Sequence, residues 1–541
     1  MFAMAVNTNG VVLNDEILDA LSQEIVGSIQ RSMLGFHIRK IAEAEVAKSN
    51  VKLTDVRHWI IQNLSKSGLN KRIQNAVYQY LQTYTPRPPR SAGPEYVKEP
   101  ISYIRRAQAN WEKRILKSMN SMCTELSVPL ARKRLEKEQR EVMSKWTELG
   151  TNEPDLSKFR PVYAAKDFLD VIVSLKNTNQ INCADNSVFS CYWGIIQVPL
   201  KVKDIHELQI QFAEMSINQS QTGVDDATDI PADLFDHERS KLAVSVIHAH
   251  QHALAQEFSK KGCPLSYRSA LWCQILGIEV EDIDILYYEE LKTYVVQHDL
   301  LVDNLVYKDV KLTTANDDQY FVFEDYIYQI LLPFSRDTIV LQHFARSSAS
   351  PAKSFIRGKF GAEEFMVYYP PNGIIPFHGF SMYVAPLCYV YNDPVVLYFV
   401  FREMYTRYFF RLHTLSSHPQ GIVSLCLLFE TLLQTHEPQL FMHLKSIGVQ
   451  PLKIAFKWLI RAFSGYLASE QVLLLWDRIL AYNTLEVLPV LAAAIFSFRK
   501  TNLMQVQTLN AAEAVLVDLL TLQVVPLIQL TLYTQPSKLI N

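Results

Sequence analysis

The chain has 541 residues, of which 49% are hydrophobic and 20% charged, and its formal net charge is -2. That balance excludes a disordered chain, offers no general electrostatic drive towards nucleic acid or anionic lipid, and leaves apolar material for about two to four compact units. The seven cysteines form no C-x-x-C pair, so reduced thiols are expected rather than a disulfide framework. The opening MFAMAVNTNGVVL lacks the basic start of a secretory leader, so no signal peptide is expected. The longest apolar runs are broken by Asn392-Asp393-Pro394 or carry Glu513 and Asp518, so no transmembrane segment is expected and membrane association is peripheral at most.

Residues 1–84 read as a helical region: Ile17, Leu21, Ile25 and Ile29 keep helical spacing, as do Val77, Tyr80 and Leu81. The prolines of TPRPPRSAGP mark residues 85–96 as a linker. Residues 97–255 read as a mixed intermediate region that begins with a helix whose stripe is Trp111, Ile115 and Met119. The charge-dense ARKRLEKEQR, residues 131–140, is expected as a solvated helix face. Turns are expected at Glu153-Pro154-Asp155 and Phe159-Arg160-Pro161, a short extended piece at Ile195–Leu200, and an exposed connector at Ser216–Asp233. His248 and His252, four apart, would share a helix face, but no third ligand stands near them and no metal site is expected.

Residues 256–541 read as an all-α domain of about a dozen helices, with no period-two strand pattern and no repeat of solenoid length. Asp393-Pro394 gives a helix start, followed by the stripe Leu397, Val400 or Phe401, Met404 and Tyr408. Between Ile454 and Leu480, Phe456, Leu459 or Ile460, Phe463 and Tyr466 or Leu467 continue one apolar stripe, and Ser469 is the expected cap of a second helix carrying Val472, Trp476, Ile479 and Leu480. No G-x-x-x-x-G-K-[ST], H-E-x-x-H or G-x-S-x-G is present, and Gly358–Gly361 is too short for a phosphate loop, so no catalytic site of the chain's own is expected.

Several of these segments resemble a TBC domain, the helical module that engages Rab-type small GTPases. Its opening resembles GCPLSYRSALWCQILGI, with a Gly-x-Pro turn at Gly262 and the R-x-x-x-W pair Arg268 and Trp272. Its I-x-x-D-x-x-R signature is similar to Val306–Leu312, and its Y-x-Q-Gly signature to the stretch ending at Gly379. Its closing segment resembles Trp458, Phe463 and Leu475-Trp476-Asp477. The resemblance implies a multi-helical Rab-GAP-type fold, with Arg268, Trp272, Trp458, Trp476 and Asp477 as fold signatures and Arg268 paired to Asp309 in a buried ion pair. It also implies Asp309, Lys311 and Gly379 as GTPase-facing residues, no cofactor, and a cytoplasmic protein, peripheral on membranes of vesicle trafficking.

Two positions depart from the family pattern. The signature arginine is replaced by Leu312 and the glutamine by His378, with Pro376 in place of the tyrosine. In the family those two residues are fingers supplied in trans, and an arginine finger contributes about 10³- to 10⁵-fold in rate. Leu312 offers neither charge nor hydrogen bond, and the imidazole of His378 is a poor water-positioner. Lys311 is the nearest substitute, but a lysine lacks the planar fork. The expectation is therefore a Rab regulator of GTPase-activating-protein type that binds GTP-loaded Rab with weak or absent activity. The alternative is a non-catalytic Rab-binding or protein-interaction scaffold acting through residues 1–255.

Overall fold

Apolar stripes at helical spacing fold the N-terminal residues into four helices: α1 (Asp15–Gln30), α2 (Met33–Val46), α3 (Leu53–Lys66) and α4 (Leu69–Thr83). They are seen in a computed structural model that describes residues 15–48, 52–83, 99–151, 155–175, 193–216, 232–316, 318–344, 354–360 and 363–533. Two compact units emerge, one of residues 1–86 with 245–255, the other of residues 87–244 with 256–541. In the first, Leu21 and Ile25 of α1, Leu34 of α2 and Leu69 of α4 are buried. Asn75 ties in the later segment: its Nδ2 donates to the His250 carbonyl at 2.7 Å and its Oδ1 accepts from the His252 amide at 3.2 Å. The helix carrying His248 ends at Ala249, and His250 sits at φ 49°, so His248 and His252 do not share the helix face expected for them. The ring of His252 instead meets Gln79 Nε2 at 2.8 Å.

The second unit takes in most of the expected intermediate region together with the C-terminal helices. The reason lies in shared core. Helix α5 (Ser102–Leu126) buries Trp111, Ile115 and Met119, and Trp111 packs edge-on against Tyr163 at 5.0 Å. Helix α6 (Ala165–Val173) sends Phe168 against Phe456 of a helix almost 300 residues downstream, with ring centroids 6.3 Å apart. Burying aromatic area of that kind contributes about 1.5–3 kcal/mol per side chain, enough to hold separate sequence regions in one core.

The charge-dense stretch is not one solvated helix. Ala131–Lys133 form a short strand, β1, antiparallel to β2 (His298–Leu300), and the helix begins only at Glu136. Arg132 reaches Asp299 at 2.9 Å, and Arg134 donates to the carbonyls of Val295 and His298, so these cations are used for tertiary attachment. A second departure from the all-helical expectation is the antiparallel pair β3 (Ser354–Phe360) and β4 (Glu363–Tyr369). Gly358, Lys359 and Phe360 of the GKFG run are β3 residues paired to β4. The Ile195–Leu200 stretch has no strand partner among the described residues; the amides of Ile195 and Ile196 donate to the buried Glu430 carboxylate at 2.9 and 3.0 Å.

Beyond these, the unit is helical as expected. Helices α7 (Arg268–Leu276), α8 (Leu301–Asn316), α9 (Glu324–Phe334), α10 (Pro394–Arg407), α11 (Ile422–His436), α12 (Pro451–Ile460), α13 (Ser469–Tyr482) and α14 (Val487–Phe498) follow in order. Asp393 caps α10 by accepting from the Val395 amide at 2.8 Å, with Pro394 in its first turn, and Leu397, Val400, Phe401, Met404 and Tyr408 are buried.

The stripe after Phe456 breaks earlier than its spacing suggests. Helix α12 stops at Ile460, because Ala462, Phe463 and Gly465 take positive φ angles of 46°, 65° and 77°. The turn is held by the Phe463 amide on the Trp458 carbonyl at 2.8 Å and by Trp476 Nε1 on the Ala462 carbonyl at 3.1 Å. Ala468, not Ser469, occupies the cap position of α13, and the Ser469 amide bonds Gln319 Oε1 at 2.6 Å.

The linker at 85–96, most of the 216–233 connector, Cys183 and Cys191 lie outside the described residues. The five described cysteines are free thiols, and no helix among the described residues is long and apolar enough to cross a membrane.

Candidate functional site

Two clusters of signature residues organise the second unit. The first joins α7 to α13. Arg268 and Trp272 lie one turn apart on α7, and both point at Asp477 of α13. Arg268 Nε donates to Asp477 at 3.2 Å and Nη2 at 3.0 Å, while Trp272 Nε1 donates at 2.6 Å. All three residues are at least 97% removed from solvent, with exposures of 3%, 0% and 0%. Burial pulls the Arg268 pKa down, but the Asp477 carboxylate more than offsets it and leaves the guanidinium above its ordinary value. Arg268 is thus paired with Asp477 and not with Asp309, as the sequence had suggested. Asp477 can satisfy a fork and an indole at once because it arrives from α13, at the core end of both side chains.

Asp309 has different work. It sits on α8, buried, and turns towards the 376–381 loop. Its Oδ1 accepts from the Gly379 amide at 2.5 Å, and its Oδ2 accepts from the Ser381 amide and hydroxyl, each at 2.7 Å. The carboxylate therefore shapes the loop that carries His378. Gly379 is required there on two counts: its φ is 103°, and a Cβ would lie 2.2 Å from the Arg461 Nε packed over it. Arg461 also donates to the His378 carbonyl at 3.3 Å. Sequence reading missed Ser381 and Arg461, whose types carry no signal until the loop is folded against α8 and the end of α12.

Leu312 and His378 do come together. With Pro161, Leu305, Lys308 and Phe377 they line a cavity of about 10 Å³, room for about one water molecule. His378 keeps 37% of its side chain exposed, and its Nδ1 stands 3.6 Å from Asp309 Oδ1. Lys311 does not point freely into solvent: its Nζ is 2.7 Å from Glu324 and donates to the Gly150 carbonyl at 3.0 Å. Lys308 donates to the Leu156 carbonyl at 3.2 Å, and the His378 amide donates to the Tyr163 carbonyl at 3.1 Å. An upstream segment of the same chain therefore runs along both sides of the cavity. No group of three or more metal-ligating side chains is present among the described residues.

Residues 377–504 match the family described as the Rab-GTPase-TBC domain. The chain is 58% identical over 516 residues to TBC1 domain family member 19 of Homo sapiens, covering 95% of this chain and 98% of that protein. The chain belongs to the TBC domain family. A crystal structure of the Chlamydomonas flagellar RabGAP TBC domain aligns with 56% of this chain and 92% of that one at 14% identity and a TM-score of 0.40, too distant to transfer side-chain positions. TBC membership makes the chain a regulator of Rab GTPase-activating-protein type. Arg268, Asp309 and Leu312 lie upstream of the matched 377–504 stretch, so their places rest on the contacts above.

Proposed function

We propose that this TBC protein binds GTP-loaded Rab-type GTPases through the face around Asp309, Lys311, Leu312, His378 and Gly379 and accelerates hydrolysis weakly or not at all. It would act in the cytoplasm, peripherally on trafficking membranes, holding the GTP form or competing for it. What supports this reading is Leu312: in the signature it takes the place of the family's finger arginine, whose guanidinium would stabilise the transferring phosphoryl group, and it lines a cavity with room for about one water. Loss of an arginine finger removes about 10³- to 10⁵-fold in rate, or about 4–7 kcal/mol of transition-state stabilisation. Lys311 is a weak replacement, since its ammonium is committed to Glu324 and Gly150.

The test is capture by the full chain of Rab GTPases loaded with a non-hydrolysable GTP analogue or with GDP. Preference for the GTP form, weakened by Leu312→Glu, is the expected result. Binding that ignores Leu312→Glu and depends on residues 15–83 would favour the protein-interaction scaffold instead.

A further inference from the structure

The upstream segment at the cavity has two parts with different attachments. Val162 and Tyr163 are buried, the Tyr163 ring lies 6.0 Å from Phe377, and its hydroxyl meets His413 Nδ1 at 3.4 Å. That end is core. The stretch before it is not: Asp155, Ser157, Lys158, Arg160 and Pro161 are exposed, and Leu156 and Phe159 only half-buried. Polar contacts fasten it to two helices: Lys308 of α8 donates to the Leu156 carbonyl, and Arg160 donates to Ser118 Oγ of α5 at 2.9 Å. Further upstream, the Gly150 carbonyl accepts from Lys311. Partly exposed polar contacts of this type each contribute about 0.5–1.5 kcal/mol, so the outer stretch is displaceable while its anchor is not.

From this geometry we infer that residues 155–161 form a built-in cover over the groove between α8 and the 376–379 loop, and that a small GTPase docks there only by displacing it. The inference rests on the proposed GTPase-facing role of Leu312 and His378. Pro161 lines the same cavity as Leu312, and the Leu156 carbonyl accepts from the Lys308 ammonium. Displacement opens the first and frees the second. A cation released beside the groove then faces the incoming partner, which fits the phosphate-bearing, acidic nucleotide side of a GTPase. Self-occupancy lowers apparent affinity by the fraction of time the cover is closed, and any event that lifts it raises binding without a new contact.

The test uses the full chain carrying Leu312→Cys, with the rate of maleimide labelling at that thiol followed by peptide mass spectrometry. It is compared with the same chain in which residues 155–161 are replaced by a glycine-serine segment of equal length, and with one carrying Lys308→Met and Lys311→Met. At least tenfold faster labelling in both is expected. In parallel, the segment replacement in an otherwise unaltered chain is expected to bind a Rab GTPase loaded with a non-hydrolysable GTP analogue at least tenfold tighter than the parent. Equal labelling rates would overturn the cover, as would measurable but equal capture of a GTPase by parent and replacement. Faster labelling with no GTPase captured by either protein would leave the cover standing and bring down the Rab reading beneath it.

Discussion

The Arg268–Trp272–Asp477 cluster and the Asp309–Leu312–His378 site are both built from TBC signature positions, and they have fared differently. In the first, every donor meets its acceptor in a core from which water is excluded. In the second, Asp309 holds Gly379 and Ser381, whereas the two positions proposed as finger sites carry an isobutyl group and an imidazole. A buried charge cannot lose its partner without a penalty to folding, but a finger at the surface can be lost with no cost to the fold. On the proposed reading, the difference separates what maintains a TBC fold from what makes it an activator.

That contrast can be broken by perturbing each side. The largest effect on stability is expected from Asp477→Ala, which leaves a buried guanidinium and an indole N–H without their acceptor. A loss of about 3–5 kcal/mol in denaturant unfolding is expected, and a loss under about 1 kcal/mol would mean the cluster is not the keystone described. Asp309→Ala should rank next, at about 2–4 kcal/mol, because the Gly379 and Ser381 amides are both left unpaired. Hydrogen exchange at those two amides should rise well before global unfolding does.

A third effect comes from His413, whose buried ring packs against Phe377 and Phe380, and from the half-buried His418. Burial drives His413 from 6.5 down to about 3, and burial, with Arg411 nearby, does the same to His418. Both stay neutral in the folded protein, while the unfolded chain takes up protons below about pH 6.5. Stability is therefore intact above that pH and falls as the solution is acidified, by about 2 kcal/mol per histidine between pH 6.5 and 5. His413→Gln should reduce the acid-induced loss by about 2 kcal/mol, measured as unfolding free energies at pH 7.5 and 5; an unchanged loss would show that His413 titrates elsewhere. The smallest effect is expected of Lys311→Ala. Its pair with Glu324 is partly exposed, so stability should change by less than about 1 kcal/mol, and GTP hydrolysis by a captured Rab should not change.

Much of the frame was legible because its signals are local. Asp393-Pro394 announces a helix by cap and ring geometry, and the Trp111 stripe needs only its own periodicity. The partner of Arg268 was not, since the choice between Asp309 and Asp477 is made by how α7 and α13 pack, 209 residues apart in sequence. The stop at Ile460 was hidden because Ala462 and Phe463 occupy backbone conformations their types disfavour, imposed by the surrounding core. The segment along the cavity was hidden for another reason: it offers backbone carbonyls of Gly150, Leu156 and Tyr163, which leave no mark in side-chain pattern. Leu312 and His378 themselves were read from position alone, and their meeting at one cavity is what the fold adds.

The central claim, a docking face retained without its catalytic tip, is tested most directly by single-turnover GTP hydrolysis across a panel of Rab GTPases with the wild-type chain in excess. The account predicts rates within about tenfold of each GTPase alone, including the one bound most tightly. Acceleration of about a thousandfold on any of them, the scale an arginine finger supplies, would contradict it.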